Sequence, residues 1–217
     1  MTYPSKDDFQ VEEFATAATV RIRSSIDPIS LQAKPIRKNT FKAALGRAVQ
    51  EKTEWIFTHD VELTLIWFIE ESRRYQTHLI ADLDNVIKTM LDAVTGPKGV
   101  LIDDNQIQSI KASWMTPGAS GIGFELTLQS LHPDEHVKKN GITFVEFSPT
   151  RCYLVHDALG DHRTAIVSLI REKVDAYEEF IHEGIAEDMA RLALPAMRPF
   201  PRARLGRFAV LPESTFD

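Results

Sequence analysis

The strongest constraint on the fold lies between residues 61 and 69. Val61, Leu63, Leu65, Trp67 and Ile69 share one face of an extended chain, and Ile66 and Phe68 make its far end apolar on both faces. Such a strand is covered on both faces, so it is expected inside a sheet. Ala18, Val20 and Ile22 alternate with Thr19, Arg21 and Arg23 in a second strand closed by Asp27-Pro28. Further strands are expected at 106 to 115 and at Ile122 to Leu128. Residues 1 to 16 read as a polar, acidic lead-in.

Two helices complete this half of the chain. Phe41, Ala44, Leu45, Ala48 and Val49 place an apolar stripe on a helix over 40 to 52. Leu83, Val86, Ile87, Met90, Leu91 and Val94 place another over 82 to 94, ended by Gly96-Pro97. Between the internal strand and this second helix, Arg73 and Arg74 fall in a polar turn. The pattern is an α+β fold with a small mixed sheet of about four strands packed on two helices.

Beyond residue 134 the texture changes. Two β-like runs, 142 to 147 and 152 to 155, precede a stripe from Ile166 to Leu192 that predicts one long amphipathic helix over about 163 to 193. Its outer side is acidic, and the tail from Pro195 to Pro212 carries Arg198, Arg202, Arg204 and Arg207 among four prolines, as an extended basic arm would. The expected division is a core over 1 to 134 and a C-terminal extension over 135 to 217, the latter a candidate for recruiting a protein partner.

Composition excludes several classes. The 217 residues contain one cysteine, Cys152, so an intramolecular disulfide is impossible, and no Cys/His set has zinc-finger spacing. No apolar run approaches the roughly 18 residues of a spanning helix, and the start, Met1-Thr-Tyr-Pro-Ser-Lys-Asp-Asp, is too polar for a signal peptide. A soluble, cytoplasmic protein without membrane contact is the expectation. Net charge is -6, yet residues 34 to 52 hold Lys34, Arg37, Lys38, Lys42, Arg47 and Lys52 against the single acid Glu51. That local basic patch, with Arg73 and Arg74, supplies the candidate contacts to nucleic-acid phosphates.

The chemically loaded segment is 82 to 104. Asp82 and Asp84 sit at the mouth of the second helix, Lys88 and Asp92 follow Asp84 on one face, and Asp103-Asp104 come after a short apolar run. Four converging acids repel one another unless a cation joins them, and oxygen ligands of this kind suit Mg2+ or Mn2+. A helix cap, an i, i+4 ion pair and a turn account for the same residues, and spacing alone leaves both readings open.

The run Asp82-Leu83-Asp84-Asn85-x-x-Lys88, then Asp92-Ala93, then Asp103-Asp104-x-Gln106-Ile107, resembles the signature of RusA-type Holliday junction resolvases. The resemblance takes in the upstream Pro28-Ile-Ser-Leu-Gln segment and covers about residues 17 to 130. It implies a homodimeric endonuclease, dependent on Mg2+ with Mn2+ as a substitute, that cuts four-way DNA junctions. By position it assigns catalysis to Asp82, Asp84, Lys88 and Asp104, and metal binding to Asp82, Asp84 and Asp104 with Asp103 beside them. The competing expectations are a noncatalytic DNA-binding or regulatory protein on the same fold, and a nuclease for another nucleic-acid structure. His132-Pro-Asp-Glu135-His136 matches an inverted zinc-peptidase pattern, but Pro133 and Asn140-Gly141 leave no room for the helix that pattern needs, so a loop is expected.

Overall fold

A computed structural model describes residues 4–76, 81–119 and 121–216. The chain divides into two compact units, Met1–Lys139 and Asn140–Asp217.

In the first unit the elements run β1 (Phe9–Phe14), β2 (Thr19–Ser24), α1 (Pro35–Lys52), β3 (Trp55–Phe57), β4 (Val61–Phe68), α2 (Glu71–Gln76), α3 (Leu83–Val94), β5 (Ile107–Met115), β6 (Phe124–Ser130) and β7 (His136–Lys138). Five strands form one sheet in the order β1-β2-β6-β4-β5. Only β4 and β5 in it run parallel, and the connection between them contains α2 and α3. The internal strand is β4: Val61, Leu63, Leu65 and Trp67 are buried on one face, while Glu62, Thr64, Ile66 and Phe68 are half-buried on the other. Its register sets Leu65 opposite Leu126 and Ala112, and Trp67 opposite Phe124 and Trp114. Phe41 and Leu45 of α1 and Val86, Met90 and Val94 of α3 join these side chains in one core, so both helices cover the same sheet face.

The α+β reading holds, with three local differences in this unit. The lead-in is a 3-10 turn followed by the edge strand β1, because Phe9 is buried against the ring of Phe41 at 5.4 Å. The basic helix begins at Pro35 rather than 40, since a proline at the first position needs no intrahelical donor. Arg73 and Arg74 lie in the short helix α2 rather than in a turn.

The second unit contains β8 (Ile142–Ser148), β9 (Arg151–His156), α4 (Arg163–His182), α5 (Glu187–Ala190) and β10 (Val210–Pro212), with a sheet in the order β10-β8-β9. Val145, Tyr153 and Val155 pack with Val167, Ile170 and Val174 of α4. The single helix expected to 193 ends at His182. Gly184 takes a left-handed φ of 81°, and Gly184 N–H and Ile185 N–H bond the Ile181 and Phe180 carbonyls, a glycine-terminated helix end. The tail is not an extended arm. Phe200 and Leu205 are buried, Phe200 exchanges backbone hydrogen bonds with Cys152 at 2.9 Å, and β10 pairs with β8. Among the described residues no helix is long and apolar enough to cross a membrane.

Candidate active site

Helix α3 and the turn after it present the acids. Asp82 is the N-cap residue of α3, in extended conformation and exposed, and Asp84 lies exposed in the first turn. Carboxylates there lie at the positive end of the helix dipole. At the other end the chain reverses sharply: the Val100 and Leu101 N–H groups bond the Val94 carbonyl at 2.8 and 3.2 Å. Gly99 makes this possible, since a Cβ there would lie 1.9 Å from the Val94 oxygen. The fold-back leads through buried Val100, Leu101 and Ile102 to Asp103 and Asp104.

Gln106 fixes that turn. Fully buried, its carboxamide oxygen accepts from the Ile102 and Asp103 N–H groups at 2.7 and 3.1 Å, and its nitrogen donates to the Phe57 and His59 carbonyls at 2.8 and 2.9 Å. Asp103 is buried and accepts from the Asn105 N–H at 2.7 Å, so at least one of its oxygens serves the backbone. Asp103 and Gln106 form a reciprocal capping box, legible in the sequence as D-x-x-Q. Asp104, the next residue, is left half-buried and turned toward α3.

An alternating chain of charges joins α1, α3 and the turn. Lys42 lies 3.1 Å from one Asp92 oxygen, Lys88 lies 3.1 Å from the other, and Lys88 also pairs with Asp104. The hydrogen bond to Asp104 holds the Lys88 ammonium above its ordinary pKa, against a smaller opposing effect of burial. Partial burial pushes the Asp92 carboxyl up, but the bonds from Lys88 and Lys42 outweigh it and its pKa is lowered. Both groups are therefore charged at neutral pH. Asp92 is the hub of this network, a role that its spacing alone did not reveal.

The structure thus brings Lys88, Asp104, Asp92 and Lys42 together. It does not gather Asp82, Asp84, Asp103 and Asp104 into one ligand set: among the described residues no three His, Cys, Asp or Glu side chains stand close enough to share a metal ion. The donor chemistry still suits a hard divalent cation, being carboxylate oxygen throughout, with Asp82 and Asp84 exposed to solvent.

The basic residues fall into separate groups. Lys34 and Arg37 are exposed at the start of α1, and Arg47 is exposed about three turns on. Lys38 donates to the Leu31 carbonyl at 3.0 Å, and Lys42 is held by Asp92. Arg73 reaches Asp27 at 2.7 Å, and the other oxygen of Asp27 accepts from Trp67 Nε1 at 3.3 Å. Arg74 lies over the rings of Trp114 and Tyr75. Arg37 and Arg73 line a hollow together with Trp67 and Ala81, the residue before Asp82. The His132 to His136 segment is a turn leading into β7, with His136 against the Trp55 ring, as a loop reading requires.

Residues 32–126 match the family model described as endodeoxyribonuclease RusA. The match runs from the approach to α1 into β6, so it contains the internal strand, both helices of the core and Asp82, Asp84, Asp92, Asp103 and Asp104. It covers less than half of the chain and none of the second unit. No curated protein matches this sequence. Residues 32–126 are thus similar to the RusA family, in agreement with the resemblance carried by the D-x-D, Lys88 and D-D elements.

Proposed function

We propose that this protein is a Mg2+-dependent endonuclease that cuts phosphodiester bonds in branched DNA and resolves four-way junctions by paired nicks. The observation that carries the reading is the Lys88–Asp104 pair, which ties the helix bearing Asp82 and Asp84 to the turn bearing the last acid of the motif. Asp82, Asp84 and Asp104 are the residues that would hold the ion. A divalent cation bound there supplies a Lewis acid for the scissile phosphate, a more acidic attacking water and charge stabilisation for the leaving oxygen.

The protein's own groups have separable tasks. Asp82 and Asp84 offer solvent-facing oxygens at a helix start, while Asp104 is presented by a turn that Gln106 and Asp103 stiffen. With its raised pKa Lys88 keeps its proton at neutral pH, which suits a positive contact to a phosphate oxygen and not a general base. Asp92 keeps the ammonium aimed along α3. Paired nicks on opposed strands require two equivalent sites, so the acting species is a homodimer with twofold symmetry.

One observation favours a second reading, a DNA-binding or regulatory protein on the same fold. No three His, Cys, Asp or Glu side chains converge to share a metal ion among the described residues. The variants Asp84→Asn and Lys88→Met separate the two. In the nuclease reading each lowers Mg2+-dependent cleavage at least ~100-fold while junction affinity in EDTA is retained. A natural chain that binds junctions but cleaves none, with or without Mg2+, supports the second reading.

A further inference from the structure

Arginine 74 is treated differently from its neighbour. Both Arg73 and Arg74 bond their backbone N–H groups to the Glu70 carbonyl, at 3.0 and 3.1 Å, so the first turn of α2 is anchored at the end of β4. Arg73 turns to Asp27. Arg74 instead lays its guanidinium over two rings, with Cζ 4.2 Å from the Trp114 centroid and 4.7 Å from that of Tyr75. Among the described residues its partners are π faces and not a carboxylate.

This arrangement remains open. Tyr75 is 65 % exposed, so it is open to solvent. Trp114 lies on β5, an edge strand, and its Nε1–H is buried without an acceptor among the described residues. Ile110, on the same face of that strand, is 54 % exposed. The surface therefore combines exposed aromatic and apolar area with a fixed positive charge, in a protein whose net charge is -6.

The site adjoins the acid-bearing helix. Trp114 is the register partner of Trp67, one strand spacing of about 4.8 Å away, and Trp67 lines the same hollow as Ala81, next to Asp82. The stacked group thus stands at the end of the sheet where α3 begins, and Arg37 of that hollow adds further positive charge, Arg73 there being paired with Asp27.

We infer that Arg74, Tyr75 and Trp114 form a stacking platform for an unpaired nucleobase of the DNA substrate. A base presents a π face to Tyr75 and its neighbouring phosphates to the guanidinium, and such stacking tolerates any sequence. The inference rests on the DNA-directed reading above, but it concerns recognition of unpaired bases and not cleavage.

The test is the affinity of the full chain in EDTA for oligo-dT and for a matched linear duplex, measured for the natural protein, Tyr75→Ala and Tyr75→Phe, with circular dichroism to confirm folding. The expected result is a roughly tenfold loss of oligo-dT affinity for Tyr75→Ala, little change for the duplex, and recovery in Tyr75→Phe. Absence of oligo-dT binding by the natural chain overturns the platform, as does an equal loss on both ligands or no loss at all. Junction cleavage by the natural chain with no Tyr75 effect removes the platform and leaves the nuclease reading standing. Tyr75-dependent oligo-dT binding without cleavage in Mg2+ does the reverse.

Discussion

Gln106 shows how a residue remote from the chemistry can decide where an acid points. Its four hydrogen bonds tie the Asp103–Asp104 turn to the backbone at Phe57 and His59. Replacing it with Ala leaves those buried groups unpaired, at ~1 to 3 kcal/mol for each group that water cannot reach. The Gln106→Ala variant is expected to lose on the order of 3 kcal/mol in urea denaturation, and its Asp104 to lose its fixed relation to Lys88. The acids themselves were legible because D-x-D and D-D are short patterns along the chain. The pairing of Lys42 with Asp92 was not, because it joins residues 50 positions apart through the packing of α1 on α3.

At the scale of elements, the reversal after α3 is the piece that sets the geometry of the site. Gly99→Ala would drive a Cβ into the Val94 carbonyl, and backbone on both sides must move to relieve it. A loss of about 1 to 3 kcal/mol is expected, with a fall in cleavage that exceeds the fall in folded fraction, because Asp104 shifts with the turn. Lys139 gives a pH signature of the first unit. Its ammonium is held against the Thr53 hydroxyl and, at 3.1 Å, the Thr53 carbonyl, and burial lowers its pKa to about 8, with Glu13 opposing. The unfolded chain, with an ordinary lysine pKa near 10.4, binds more protons above pH 8. This group's contribution to stability therefore rises with pH between about 8 and 10.4. Unfolding midpoints measured across that range should show the rise in the natural chain and its absence in Lys139→Met.

The strands and helices of the core were readable from periodicity because each is long and buries one face against a common layer. The short elements were not. The edge strand β1 carries Glu12 and Glu13 and depends on its partner β2, and the tail folds only because Phe200 and Phe208 find the Phe144 ring, at 5.7 and 5.3 Å. Such contacts are tertiary, and a local pattern rich in Arg and Pro gives no sign of them. The helix stop at Gly184 was visible as a glycine, but the apolar stripe continuing to Leu192 obscured it.

For the whole molecule, charge and symmetry carry the functional claim. In the proposed reading an acidic protein meets DNA through local cations, and the candidates lie at or on α1, α2 and α3 of the first unit. A duplex offers such a surface phosphates but no branch, whereas a four-way junction offers two equivalent strands to a twofold dimer. The most direct test is the mapping of cleavage positions on a labelled four-way junction and a matched linear duplex, with Mg2+ or EDTA. Symmetric nicks on two opposed strands of the junction, dependent on Mg2+ and absent from the duplex, are the expected result. Equal cutting of the duplex, or unchanged cutting in EDTA, would contradict it.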